Sequence, residues 1–234
     1  MAKTDSLNPA RTVVDLNGNW ERYIHDKLVE IVHVPSSLRP CGTYRLQRMF
    51  LMPRLSQDQR GIVHFDAITY HGRVSVNGHE LGSMIPYLPH EFDFTSYAQE
   101  GRNTIAVEIV DAGPAPQGAG KDEVAFCYTS GWEAYGGIIR DVYAEVRTAS
   151  FVDAVRFAYQ LSNNYESAAC TAKVTVSSSS AISGDCELAL FWGASEVARA
   201  SKTMSFVVGA TEVDLAFDVK DVALWSPGSQ TCMS

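Results

Sequence analysis

The sequence predicts an all-β protein built as sandwiches, and three observations predict it. Apolar and polar residues alternate with a period of two over 29–34, 44–50 and 104–109. Turn-forming residues separate such runs: Asn17-Gly18, Asn77-Gly78, and prolines at 35, 40, 53, 86 and 89. No stretch carries apolar residues three and four apart for long enough to make a stable amphipathic helix.

Each element follows from its local chemistry. Val29, Ile31 and His33 alternate with Glu30, Val32 and Val34; Tyr44, Leu46, Arg48 and Phe50 with Arg45, Gln47 and Met49; Ile105, Val107 and Ile109 with Thr104, Ala106 and Glu108. These are strands, because successive side chains of a strand point to opposite faces. Asn77-Gly78 suits a two-residue hairpin turn, in which both central residues need positive φ. Over 90–94, Phe92 and Phe94 share one face and enter the core, while Glu91 and Asp93 share the other and form a solvated face rather than a catalytic pair. The segment DAGPAPQGAGKDE (111–123) is too rich in Gly, Ala and Pro for a strand and reads as a long surface loop. A break at Arg147-Thr148-Ala149-Ser150 separates the strand 142–146 from a fresh set beginning at Phe151, which divides the chain into 1–148 and 149–234. The second part alternates through Ala168, Cys170, Ala172, Val174 and Val176 and through Cys186, Leu188, Leu190 and Trp192, as a small immunoglobulin-like sandwich does.

Composition narrows the function classes. The chain has 234 residues, 46% hydrophobic and 20% charged, enough to bury a core. Against 27 Asp and Glu stand 19 Lys and Arg, a net charge of -8, which argues against a nucleic-acid or anionic-membrane partner. The first twenty residues lack the apolar run of a signal peptide, and no later run is long enough for a membrane span. A soluble, cytoplasmic protein is expected. The five cysteines are odd in number, widely spaced and without a CxxC pair, so neither a zinc site nor a disulfide framework is indicated, and Cys170 and Cys186 read as reduced core thiols. His64, His71 and His79 have no carboxylate or second histidine at ligand spacing and are expected at the surface or rim; no metal and no cofactor are expected. Arg140 is expected to pair with Asp66 or Asp141 as a structural contact.

Seven pieces occur in a telling order: LNGNW (16–20), VPSS (34–37), YRLQRMF (44–50), VSVNGHELG (74–82), LPHEFDF (88–94), GRNTIAVEI (101–109) and GGIIRDVYAEV (136–146). In order and spacing they resemble the N-terminal sugar-binding domain of family 2 glycoside hydrolases, above all its β-galactosidase branch. ALWSPGS (223–229) resembles the immunoglobulin-like domain that follows in those enzymes. The resemblance covers nearly the whole chain. It implies a jelly-roll (galactose-binding-like) β-sandwich followed by a small immunoglobulin-like β-sandwich.

The resemblance also implies what this chain does not carry. Family 2 enzymes hydrolyse O-glycosyl bonds with retention through two glutamates about 5 Å apart. Both belong to a third domain, an (α/β) barrel, with the acid/base Glu directly after an Asn. This chain contains no Asn-Glu dipeptide and no alternation of strands and helices, so no catalytic residue is assigned. It is expected to be the noncatalytic N-terminal portion of such an enzyme, truncated at the C-terminal end of its second domain, where the family continues into a further strand but here Gln230 to Ser234 follow. Its expected partners are a β-glycoside, the C-terminal barrel of the parent enzyme and, as an open case, a second copy of itself. The alternative is a stand-alone carbohydrate-binding or protein-assembly module.

The sugar-binding residues carry over by position. Arg39 stands where the family places a substrate-contacting Asn, and Gly131 where it places an acid, so both contacts are altered. Trp132, Glu133 and Tyr135 are the substitutes: aromatic faces stack on a pyranose and a carboxylate accepts two hydroxyl hydrogen bonds. Packing under the loop is the other reading of Trp132 and Tyr135. Arg39 is expected to favour a sugar bearing a carboxylate or sulfate, since a guanidinium offers a two-pronged contact.

Overall fold

The period-two alternation becomes strands throughout a computed structural model that describes residues 11–38, 43–110, 135–224 and 227–228. In chain order the first unit, Met1–Thr148, contains β1 (Arg11–Asp15), β2 (Gly18–Ile24), β3 (Lys27–Val34), β4 (Thr43–Met52), β5 (Gln59–Phe65), β6 (Ile68–Thr69), β7 (His71–Val76), β8 (His79–Met84), β9 (His90–Asp93), β10 (Gly101–Val110), β11 (Gly137–Ile138) and β12 (Val142–Thr148). A short 3-10 turn, Thr95–Tyr97, is the sole helical element among the described residues. Strands β3-β2-β4-β10-β7-β8 form one antiparallel sheet, β1-β12-β5-β9 a second, and β11-β6 a small third.

The inward residues of the two large sheets merge into one core. Leu16, Trp20, Leu46, Val63, Phe65, Phe94, Ile105, Val107 and Ile109 belong to it. The Trp20 indole, 1% exposed, donates to the Leu16 carbonyl at 2.8 Å, so its polar edge is satisfied inside. Phe94 is fully buried and Phe92 packs partly buried against the same cluster. In β3 the inward face is that of Val32 and Val34, which leaves Val29 and Ile31 exposed. Arg48 occupies an inward position of β4 and donates to the carbonyls of Leu16, at 3.1 Å, and Asn17. Burial lowers the pKa of its guanidinium.

The turn residues act as read from the sequence. Asn77 (φ 51°) and Gly78 (φ 82°) close the β7-β8 hairpin. The Asn77 amide donates to the Tyr97 carbonyl and to Asn103 Oδ1, both at 2.8 Å, and its oxygen accepts from the Thr104 N–H. Asn17 is similarly committed: its amide donates to Asp141 Oδ1 at 3.2 Å and its oxygen accepts from the Val142 N–H at 3.0 Å. The β2-β3 hairpin turns on His25 and Asp26, both at positive φ without a glycine.

The second unit, Ala149–Ser234, contains β13 (Ser150–Leu161), β14 (Ser167–Ser178), β15 (Ile182–Trp192), β16 (Ser195–Phe206) and β17 (Gly209–Lys220). They make a three-stranded sheet β13-β14-β17 and a two-stranded sheet β15-β16. Its apolar residues form two small clusters, one around Val174, Val213 and Leu215, the other around Ala168, Cys170 and Val219. Cys170 and Cys186 are buried free thiols, and burial pushes both pKa values up. The edge strand β13 behaves differently. Val155, Phe157 and Tyr159 lie opposite the buried Val174, Ala172 and Cys170, on the same face, yet remain 48%, 46% and 66% exposed.

Candidate functional site

Two constellations in the first unit bring together side chains that could bind or react. The first lies where β6 and β11 meet. Gly137 pairs with Thr69 and Ile138 with Ile68. Gly137 has φ +135°, and a Cβ there would stand 2.7 Å from the Ser36 carbonyl oxygen, so a glycine permits this close approach. Next to it Leu38 and Gly136 exchange backbone hydrogen bonds of 2.7 and 3.1 Å, and Ser36 N–H donates to Ile138 O at 2.9 Å. The half-buried Tyr135 immediately precedes Gly136. Its hydroxyl is 3.4 Å from that of Tyr87, and Thr69 Oγ1 lies 3.4 Å from both the Tyr87 hydroxyl and the Tyr135 carbonyl oxygen. The hydrogen bond with Tyr87, then burial, pushes the Tyr135 hydroxyl up to about 12, so it stays a neutral donor and acceptor.

Of the residues expected from the sequence to meet a sugar, Tyr135 is therefore placed on this rim. Arg39, Trp132 and Glu133 lie outside the described residues, as do Gly131 and the loop 111–123. What the described residues establish is the adjacency of their chain neighbours: Leu38, which precedes Arg39, is bridged to Gly136, which follows Tyr135. Tyr87 was not singled out by sequence reasoning. The proline on its N-terminal side and the Pro89 two residues on read as loop punctuation, and nothing local signals that its ring meets one 48 residues away.

The second constellation corrects one expectation. His64, expected at the surface or rim, is buried, and Glu91, on its exposed face as expected, is tied to it. His64 Nδ1 is 3.0 Å from Glu91 Oε1 and Nε2 is 2.9 Å from Glu145 Oε2. Arg147 reaches Glu91 at 2.9 Å and Arg11 reaches Glu145 at 3.2 Å. The reason is register: Tyr143, Glu145 and Arg147 of β12 share the face on which His64 of β5 and Glu91 of β9 project. His71 and His79 are exposed as expected. Burial alone would lower the His64 pKa, but hydrogen bonds to Glu145 and Glu91 and their charges outweigh it and the net shift is upward. The His64 hydrogen bond holds the Glu91 carboxyl down at about 2. Burial opposes ionisation of Glu145, yet His64, Arg11 and Arg147 lower its pKa overall.

Chemically, this second group is a closed network. Both imidazole nitrogens face carboxylates, and neither carboxyl can hold a proton near neutrality, so none offers the raised-pKa acid that glycoside hydrolysis uses. A second expectation is also corrected. Arg140 is exposed and makes no ion pair with Asp66 or Asp141 among the described residues; the Asp141 carboxylate instead accepts from the Asn17 amide. Among the described residues no group of three or more His, Cys, Asp and Glu could hold a metal ion.

Comparison with known proteins places these features in context. Residues 9–146 match the family described as glycosyl hydrolases family 2, sugar binding domain. A β-galactosidase of Priestia megaterium is 31% identical over 145 residues, covering 62% of this chain and 13% of that protein. A β-galactosidase of Clostridium acetobutylicum is 26% identical over 208 residues, covering 88% of this chain and 21% of that protein. This chain thus spans about a fifth or less of these relatives. Among solved structures, a β-glucuronidase from glycoside hydrolase family 2 superposes with a TM-score of 0.80 at 16% identity, over 93% of this chain and 27% of its own. A β-glucuronidase of Bifidobacterium dentium superposes with a TM-score of 0.69 at 23% identity, over 94% of this chain and 44% of its own. No helix among the described residues is long and apolar enough to cross a membrane.

Proposed function

The chain belongs to family 2 of the glycosyl hydrolases through its sugar-binding domain, and we propose on that premise that it is the noncatalytic N-terminal portion of a β-galactosidase-like enzyme of carbohydrate metabolism. Unit 1–148 is the sugar-binding jelly roll, and unit 149–234 an immunoglobulin-like domain that with it supports a catalytic (α/β) barrel. Its place of action is the cytoplasm. Arg39, Trp132, Glu133 and Tyr135 form one wall of the β-glycoside pocket. The observation that supports this reading is the Leu38–Gly136 bridge, which joins the chain segments leading into Arg39 and out of Tyr135. Stacking by Trp132 and Tyr135 and hydrogen bonding by Glu133 supply the recognition, and Arg39 favours an acidic sugar through a charge-assisted contact.

Two experiments test it. Incubation with nitrophenyl β-galactoside, β-glucuronide and β-mannoside is expected to give no turnover by the chain alone; turnover abolished by substituting a residue of this chain would overturn the assignment. NMR titration with methyl β-galactoside and methyl β-glucuronide is expected to shift resonances of Arg39 and Tyr135 with an affinity of about 1 mM, since few sugar atoms are buried without the barrel. Absence of any shift at either segment would remove the pocket wall. A second reading, a protein-assembly module that pairs with its own copy, is favoured by one observation: the exposed apolar face of β13.

A further inference from the structure

We propose that Tyr87 is a carbohydrate-contacting residue, and that its hydroxyl and the Tyr135 hydroxyl together receive two neighbouring neutral hydroxyls of a pyranose. The inference rests on the pocket wall of the preceding section and adds to it a residue from another loop.

Three observations single out Tyr87. It holds φ at +65°, a left-handed conformation that a bulky side chain rarely adopts and that clusters at binding and active sites. That conformation is fixed from below, because the Tyr87 N–H donates to the Ile68 carbonyl of β6 at 2.9 Å, on the short strand that also pairs with the segment following Tyr135. The strained backbone does not serve burial, since the residue stays 41% exposed, with Ile85 and Leu88 exposed beside it.

The geometry of the two phenols suits a ligand. At 3.4 Å their hydroxyls are farther apart than the optimal O–H···O distance, so their mutual contact is weak and is readily exchanged for bonds to an incoming hydroxyl. Each phenol can donate and accept at once, as each hydroxyl of a vicinal diol can. Thr69 Oγ1, fully buried, lies against both residues and steadies the pair from the protein side. The Tyr135 hydroxyl, pushed up to about 12, carries no charge near neutrality. The subsite therefore reads hydroxyls common to neutral and acidic sugars, and leaves any carboxylate to Arg39.

The test is NMR titration of the full chain, carrying ring-labelled tyrosine, with methyl β-galactoside and methyl β-glucuronide. Tyr87→Phe is expected to weaken binding of both sugars by the same factor, about fivefold for one hydrogen bond, while Arg39→Ala weakens the glucuronide alone. Tyr87→Gly removes the strain and the phenol together, so it is expected to leave the melting temperature unchanged or higher while lowering affinity further. Affinity for the galactoside should stay flat from about pH 6 to 9, where the Tyr135 hydroxyl, pushed up to about 12, keeps its proton. Unchanged affinity in Tyr87→Phe beside weakened affinity in Tyr135→Phe would overturn this inference and leave the pocket wall standing. Sugars that shift neither loop in the unsubstituted chain would overturn both.

Discussion

The first unit closes its core, and the second leaves part of the same kind of face uncovered. In the first, inward residues from both large sheets join one cluster in which Phe65, Phe94 and Ile105 are wholly shielded. In the second, β13 sets Val155, Phe157 and Tyr159 on the face of the buried Val174, Ala172 and Cys170, yet they stay about half exposed. Period-two alternation determines which side chains share a face. Whether that face is buried depends on what packs against it, which alternation does not encode.

The sharpest way to break this comparison is to truncate an aromatic on each side of it. Phe94→Ala should cost about 4 kcal/mol, the order found for large-to-small changes in closed cores. Phe157→Ala, already half in water, should cost less than about 1 kcal/mol. Urea denaturation of both variants measures the pair, and equal losses would show that β13 is covered after all. Phe157→Lys is expected to reduce self-association at high concentration by light scattering, and an unchanged mass would dispose of pairing through this strand.

The ion network around the buried His64 and Glu145 tests the closure of the first unit from its polar side. Glu145→Ala leaves His64, Arg147 and Arg11 without their shared carboxylate and should cost about 3 kcal/mol. The pH dependence follows from the shifts. Glu91 and Glu145 have lowered pKa values, so their contribution is present above the ordinary 4.5 and is lost as pH falls toward about 2 for Glu91. His64 has a raised pKa, so its contribution is complete below the ordinary 6.5 and is lost as pH rises through the raised value. Stability owed to the network should therefore peak between those limits, and the peak should flatten in Glu145→Ala. Melting curves across pH that are parallel for the two proteins would refute the assignment. A smaller effect is expected at the rim: Gly137→Ala should cost about 2 kcal/mol, because its Cβ meets the Ser36 carbonyl at a φ that disfavours alanine. Tyr135 resonances should shift in that variant while those of the second unit stay put.

How much was legible follows from range in sequence. The Asn77-Gly78 hairpin, the inward run of β10 and the buried Phe94 were readable because turn chemistry and alternation are local. The glycine-free turn at His25-Asp26 was not, since neither residue announces positive φ. Alternation placed Arg48 on the face of Tyr44, Leu46 and Phe50, but not the carbonyls of Leu16 and Asn17 that receive it there, 32 and 31 residues away. The His64 network escaped because its partners arrive from β9, β12 and β1, with Glu145 81 residues distant. In the candidate site Tyr135 was named by its position in the family resemblance, whereas the contact between Tyr87 and Tyr135 required knowing that both their segments are held on β6.

The two Asn-Gly turns carry a further consequence, for how the protein ages. An asparagine followed by glycine is the dipeptide most prone to spontaneous deamidation, because the next backbone nitrogen can attack the side-chain carbonyl when the amide is free to turn. Here both amides are held: Asn77 by Tyr97, Asn103 and Thr104, and Asn17 by Asp141 and Val142. Folding thus protects the same residues that shape it. Chain that spends time unfolded should accumulate aspartate and isoaspartate at 17 and 77, and a chain so altered loses the amide donors that fastened each turn, so storage damage at these two sites records how often the first unit has opened.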